Sequence, residues 1–513
     1  MRRPTRGAPT GHPIASGIDP TAAGTTTTTT GPPPVIAFCN RHYAALAAAV
    51  LGLAAFNLAF RLGSEIVTQW DESLYAIAAW EMVDSGNWIG TTFLGTLDYY
   101  NAKPPLNVWL IALAFKAFGK SLVSLRLVPV VSAWLTVAVL QGWTRRSFGP
   151  PVALLAGLVL ATTFGFLYVH AGRSANTDAL FTLLILLMVV TLWAARDRPW
   201  QSVWLGPLAA AAFLLRGMAV LMPLAIVLAV EVSSRRRQPK RWIAILTAVL
   251  LFLVPVMAWA VARWQVDEWR FFERLFGYDF VARSVRVLER HPGGPLYYLN
   301  ILQKHQYDWL LAGLVAWILF PVPWPRLRNL LWFWRGDDGL KVLLASWAGI
   351  TLLIPTLMRT KLPWYLNPFY PVFALGIAWI LAHGFSAAAN AGSVRRRLAI
   401  LGFVVVLALA VAEGKLIWYS FHHRDLRQSV QGLLLTEGDR LAGRRVFRNH
   451  WDRAEMFIIG GVLGAERRLA AGLEDFWRDS RPGDYLVLSQ AREHPDLVLV
   501  RSGGRHWLYR RRE

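Results

Sequence analysis

Apolar residues in this chain come in long unbroken runs divided by short polar stretches. Runs at roughly 43–62, 122–143, 151–170, 179–195, 201–216, 217–232, 243–262, 301–320, 341–358, 364–384 and 398–419 approach the roughly 20 residues an α-helix needs to cross a bilayer. The pattern predicts an all-α polytopic membrane protein with about 11 transmembrane helices. A soluble chain of 513 residues would have too little interior to hide so many runs. One further run, "PPLNVWLIALAFKAFG" (Pro104–Gly119), is short for a span and carries Lys116. It reads as an interfacial or re-entrant helix, with a short tilted span as the alternative.

The two ends differ from this middle. Residues 1–40 begin with a Thr/Pro/Gly-rich stretch that includes "TAAGTTTTTTGPPP" and are expected to form a disordered cytoplasmic tail. No apolar stretch with a cleavage site precedes Ala44, so the first run is expected to be a retained anchor. Residues 41–421 form the transmembrane part, with a large outer loop at about 63–121. From 422 to 513 the short runs "YLVLS", "DLVLV" and "HWLYR" read as strands and Ala454 to Ala471 as a helix, predicting a small extracytoplasmic α/β domain.

Charge orients the chain. The net charge of +22 raises the question of nucleic acid. Yet the basic residues cluster between apolar runs, as in Arg145-Arg146, Arg235-Arg236-Arg237 with Lys240-Arg241, and Arg395-Arg396-Arg397. With the N-terminus inside, "TRRSFG", "RDRPWQ", "SSRRRQPKRW", "RLRNLLWFWRGDD" and "GSVRRR" all fall on the cytoplasmic side. The distribution argues for anionic membrane lipids as the partner and against nucleic acid. It places the protein in a cytoplasmic (inner) membrane, N-terminus in and C-terminal domain out. The single cysteine, Cys39, excludes an internal disulfide framework and a Cys-rich metal site.

This threading collects polar residues at the outer boundary: Asp71, Glu72, Lys103, Arg126, Arg173, Asp178, Arg216, His291, Tyr297, Arg359 and Lys361. Charge at the edge of an apolar helix is costly unless paired or solvated. Each has a plainer reading. Arg126, Arg216 and Lys361 can snorkel to headgroups, Arg173 and Asp178 can pair or cap, and Asp71-Glu72 can cap the helix that follows. Together, converging cations suit a lipid-linked phosphate, and a carboxylate beside them is a candidate base or ligand for a divalent metal. That combination points to group transfer from an isoprenoid phosphate, with the cations stabilising the departing phosphate.

The stretches "WDESLYAIAAWEMVDSGNW", "YYNAKPPLNVWL", "GRSANTDALFTLL" and "TKLPWYLNPFYP" resemble the bacterial 4-amino-4-deoxy-L-arabinose transferases, which sit with the protein O-mannosyltransferases among the GT-C glycosyltransferases. The resemblance covers roughly 43–385. It implies an inverting enzyme, metal-assisted or metal-independent, that moves a sugar from a polyprenyl-phosphate carrier to a glycolipid, polysaccharide or protein acceptor on the outer face. Carried over by position, it implies catalytic roles for Asp71, its neighbour Glu72, and Asp178. It implies donor-phosphate contacts for Lys103, Arg173, Lys361 and Tyr365, to which the outer-boundary charges Arg126 and Arg216 are added. Two positions depart from the family: Ala102 stands where the arabinose-transferase subgroup has a glutamate able to help bind a metal, and Arg216-Gly217 replaces Lys-Gly. Metal dependence is therefore left open. Rival readings are a protein O-mannosyltransferase, a lipid-linked oligosaccharide ligase and a membrane transporter. A transporter would call for an inverted repeat and mid-bilayer charges, whereas the charges noted here lie at the outer boundary.

Overall fold

The computed structural model describes residues 34–100, 102–233, 239–277, 291–321, 339–388, 395–423 and 425–513. The expected tail up to residue 33 lies outside them, as do the basic stretches at 234–238 and 326–338. A helix at Pro34–Arg41 takes in the last residues, 34–40, of the tail expected from sequence.

The membrane part is a helical bundle: α1 (Tyr43–Ala59), α2 (Asp71–Ser85), α3 (Leu106–Phe118), α4 (Leu122–Phe148), α5 (Pro150–Ala161), α6 (Phe164–Tyr168), α7 (Asp178–Ala195), α8 (Leu205–Arg216), α9 (Leu221–Ser233), α10 (Pro239–Asp267), α11 (Tyr297–Leu319), α12 (Gly339–Leu357), α13 (Tyr370–Ala388) and α14 (Arg395–His422). Among the described residues eight segments are long and apolar enough to cross a membrane by length and composition. One of them, Pro199–Ser233, is divided at Arg216-Gly217, as the sequence reading expects. Its two halves, α8 and α9, both pack against α7, so the chain reverses at that point. Gly217 makes the reversal possible, because its φ of 57° and ψ of −127° lie where a side chain would be strained. With the broken helix α5–α6 and the polar-interrupted α11, the apolar helices fall where the expected runs lie. The protein is a multi-pass membrane protein.

Breaks inside the bundle are closed by polar side chains, as an apolar medium requires. Between α5 and α6, Asn57 Nδ2 donates to the Ala161 carbonyl (3.1 Å) and to Glu413 Oε1 (2.9 Å). In α11, Gln306 is non-helical (φ −129°, ψ 25°). Beside this kink Lys415 Nζ of α14 donates to the His305 carbonyl at 2.7 Å and pairs with Asp308 at 2.5 Å. Charges inside spans therefore occur as partners.

The short hairpin β1 (Thr92–Phe93) and β2 (Thr96–Leu97) lies in the loop between α2 and α3. After α14 come α15 (Val430–Thr436), α16 (Arg453–Met456) and a five-stranded sheet with order β4-β3-β5-β7-β6. Strand β3 (Arg445–Arg448) runs parallel to β4 (Glu466–Leu469) and β5 (Tyr485–Leu488). Strand β7 (His506–Arg511) is antiparallel to β5 and β6 (Leu497–Gly503). The sequence reading foresaw β5, β6 and β7 but not β3 or β4. It also ran one helix from Ala454 to Ala471. That helix passes into a π-turn at Phe457–Val462 and ends before β4. Gly464, at φ 61°, turns the chain there.

A shared core ties this region to helices α2 and α3. Val67, Tyr75, Ile77, Ile111 and Phe115 are buried together with Leu433, Phe457 and Ile458. Phe115 of α3 stacks on Phe457 with ring centroids 5.7 Å apart. Helix α3 packs on α2 and α4 while Leu113 and Phe118 remain exposed.

Candidate active site

Asp71 is the first residue of α2, where unpaired backbone N–H groups favour a carboxylate. Its side chain is about a third exposed and lies 3.6 Å from Lys103 Nζ. Lys103 is delivered by the turn before Pro104-Pro105, which opens α3. Its ammonium also sits over the Tyr75 ring, 5.3 Å from the centroid. Tyr75 is buried one turn into α2, and burial pushes its phenol above the ordinary value, partly countered by Lys103. It remains a protonated donor at neutral pH.

The second acid arrives from another element. Asp178 is the first residue of α7, and its Oδ1 accepts from Arg216 Nη1 at 2.6 Å. Arg216 ends α8 and lies over the Phe181 ring at 5.1 Å. The two pairs are neighbours: Asp178 is within electrostatic reach of Asp71 and Lys103, and Arg216 of Tyr75 and Tyr365. A Cβ built on Gly217 would lie 3.6 Å from Pro104 Cδ, which puts the α8 turn against the Lys103 loop. Tyr365 comes from the 3-10 turn Pro363–Phe369. Asp71, Lys103, Asp178, Arg216 and Tyr365 thus converge from five parts of the chain.

Most of the other residues expected from sequence are engaged by partners within the fold. Glu72 is fully buried: Oε1 accepts from Arg126 Nε (2.8 Å) and Ala175 N (3.1 Å), and Oε2 from Thr68 N (2.7 Å). Arg126, also fully buried, spends its remaining donors on the Leu62, Glu65 and Ile66 carbonyls at 2.7, 3.0 and 2.6 Å. Arg173 pairs with Glu65 and donates to the Asn57 and Phe60 carbonyls. These groups clamp the segment between α1 and α2 and do not open to a ligand. Neither a headgroup nor a helix cap is involved, because a buried charge is satisfied by whatever carbonyls the fold brings within reach. Lys361 Nζ donates to the carbonyls of Pro355 (3.2 Å), Thr356 and Met358 (2.5 Å), closing the C-terminal end of α12, and burial lowers its pKa. His291 and Arg359 are exposed.

Sequence reasoning missed Glu65, whose signal was a lone acid just past the first apolar run, and the centrality of Tyr75. It also missed His170, whose ring stacks on Trp364 with centroids 3.7 Å apart. Among the described residues no three His, Cys, Asp or Glu side chains group as a metal would require, and Ala102 has no ligating atom to add beside Lys103. The donor set among the described residues does not fit a metal.

The apo structure of ArnT from Cupriavidus metallidurans superposes on this chain with a TM-score of 0.64 at 17% identity, over 91% of this chain and 98% of that one. The chain has the GT-C fold. The same enzyme bound to undecaprenyl phosphate matches with a TM-score of 0.59 at 16% identity, over 91% and 97% of the two chains. In sequence, the chain is 30% identical over 336 residues to "Undecaprenyl phosphate-alpha-4-amino-4-deoxy-L-arabinose arabinosyl transferase" of Pseudomonas savastanoi pv. phaseolicola. That match covers 64% of this chain and 60% of the relative's length. The profile of the family described as "Dolichyl-phosphate-mannose-protein mannosyltransferase" matches residues 102–259. The resemblance seen in the motifs of this GT-C chain therefore holds in both sequence and fold.

Proposed function

We propose that this GT-C chain is a membrane glycosyltransferase that moves a sugar from a polyprenyl-phosphate donor to a glycolipid or polysaccharide acceptor on the outer face of the cytoplasmic membrane. The observation that carries the reading is the juxtaposition of two acid–cation pairs, Asp71–Lys103 and Asp178–Arg216. The names of the relatives, which include an undecaprenyl-phosphate aminoarabinose transferase, support the donor class.

In this mechanism Lys103 and Arg216 hold the donor phosphate, with the Tyr365 hydroxyl as a further donor. Asp71 orients the acceptor hydroxyl and takes its proton as the oxygen attacks the anomeric carbon from the face opposite the phosphate. The bond between the anomeric carbon and the phosphate oxygen breaks, polyprenyl phosphate leaves with the electron pair, and the configuration inverts. Asp178 holds Arg216 in place and moderates its charge, so the phosphate can be released. The cations act most strongly as charge builds on the leaving oxygen.

The test is transfer of radiolabelled sugar from synthetic undecaprenyl monophosphate donors by the purified chain in lipid nanodiscs. Label appearing in a lipid or glycan acceptor supports the reading; no transfer from any common sugar overturns it. The profile match to protein mannosyltransferases favours a second reading in which a protein Ser or Thr hydroxyl is the acceptor. Label in polypeptide would establish that instead.

A further inference from the structure

The chain beyond His422 grips the segment that delivers Asp71 from both sides. Upstream, Gln431 of α15 treats Val67 as a strand neighbour would: its Oε1 accepts from Val67 N at 2.8 Å and its Nε2 donates to Val67 O at 3.0 Å. Both residues are buried, so neither bond competes with water. The Glu65 backbone pairs with that of Asp425 in an isolated antiparallel β-bridge, and Arg61 lies 3.4 Å from the Asp425 carboxylate. Closer to the acid, the Arg453 guanidinium of α16 is 5.6 Å from the Trp70 ring, 5.7 Å from Phe93 and 5.5 Å from Tyr100. Further along α2, Gly460 and Gly461 make room for Trp80, since a Cβ on Gly460 would lie 2.2 Å from that indole.

The residue between these grips is strained. Trp70 has φ 72° and ψ −121°, a region that residues with a side chain rarely adopt. Such a conformation costs about 1–3 kcal/mol and persists only where surrounding contacts over-determine it. Local bonds hold part of the turn: Thr68 N and its hydroxyl donate to Glu72 Oε2 at 2.7 and 2.9 Å, and the Ser73 hydroxyl donates to the Trp70 carbonyl at 3.0 Å. Gln431 on one side and Arg453 on the other add restraint from outside the turn.

We propose that Gln431 and Arg453 are positioning residues, which hold the Val67–Trp70 turn in its strained form and so set the Asp71 carboxylate beside Lys103. This rests on the reading of Asp71 as the acceptor-directed base. The region after His422 is then a working part of the site rather than a cover. Neither residue touches the donor groups Lys103 and Arg216, so its loss acts on turnover and not on donor affinity.

The experiment uses the full chain in nanodiscs with two probes, undecaprenyl monophosphate linked to 4-amino-4-deoxy-L-arabinose and to mannose. Gln431→Leu is expected to speed hydrogen exchange at the Val67 amide and to lower kcat about tenfold or more, with donor KM within about twofold. Arg453→Met is expected to lower kcat in the same way, with partial recovery in Arg453→Lys. Gln431→Glu keeps the acceptor for Val67 N–H but sets a carboxylate against the Val67 carbonyl. Protonation restores the donor, so its kcat relative to the parent should climb as pH falls from about 7.5 to about 5.5. A merely structural role would not produce that recovery.

Parental kcat in Gln431→Leu, a rise in KM alone, or a flat Gln431→Glu ratio would overturn the proposal while Asp71→Asn stays inactive. A parent chain that uses neither donor, or an Asp71→Asn chain with parental turnover, removes the underlying reading and this proposal with it.

Discussion

Asp71 and Glu72 are adjacent at the start of α2 and face different surroundings: Glu72 is wholly buried against Arg126, while Asp71 is partly open beside Lys103. One residue of helix rotation, about 100°, separates a scaffold group from a candidate base. Asp71→Asn is expected to leave the melting temperature near the parent's and to abolish sugar transfer. Glu72→Ala leaves the Arg126 charge buried without its partner and should cost about 3–5 kcal/mol, seen as lost folded yield by size exclusion in detergent. Equal activity loss at equal stability in both variants would refute the distinction.

Arg216 spans the two functions of the site, holding Asp178 and facing the donor. Arg216→Met should remove one charged hydrogen bond to the phosphate, worth about 1.5–3 kcal/mol, or roughly ten- to a hundredfold in kcat/KM for the donor. Arg216→Lys keeps the charge but loses the planar fork and should fall between the two. Initial rates against donor concentration decide this, and a Met variant with parental kcat/KM would remove Arg216 from the donor site.

Acid should loosen the attachment of the region after α14. The Asp425 carboxyl is held below the ordinary aspartate range, chiefly by the Arg427 side-chain hydrogen bond, with its backbone N–H and the charges of Arg427 and Arg61 adding to it against burial. A carboxylate depressed in the folded state contributes stability above its unfolded pKa and loses it as pH falls through the folded one. The melting temperature in detergent is expected to drop between about pH 5 and about pH 3. Asp425→Asn should show a smaller drop over the same interval, and an equal drop would exclude this pair as a source.

Helices α8 and α10 touch at Gly206, where a Cβ would lie 2.1 Å from the Ala248 carbonyl oxygen. Small residues permit such approach between membrane helices. Gly206→Leu must push the helices apart and should cost about 1–3 kcal/mol, read as a lower melting temperature. An unchanged value would show that the crossing has slack.

Much of the fold was legible because a bilayer imposes length and polarity on each segment separately. The reversal at Arg216-Gly217 could be read from one charge and one glycine in an otherwise apolar stretch. Strands β3 and β4 were hidden: "RVFR" and "ERRL" are polar, and their pairing rests on parallel neighbours distant in sequence. Within the site, Asp71, Lys103, Asp178, Arg216 and Tyr365 were all named from motifs and boundary charge. Arg126, Arg173 and Lys361 were named with equal reason and turned out to hold backbone carbonyls.

That difference has a physical cause. Hydropathy runs and short motifs are local, so they determined where the passes lie and the stock of acids and cations available for chemistry. Which cation meets which acid depends on how helices far apart in sequence cross, and a buried guanidinium accepts a carboxylate or a carbonyl according to what packing presents. Only the tertiary structure could send Glu72 to Arg126 and Asp71 to Lys103, join Arg216 to Asp178, and bring Gln431 across the chain to the backbone of Val67.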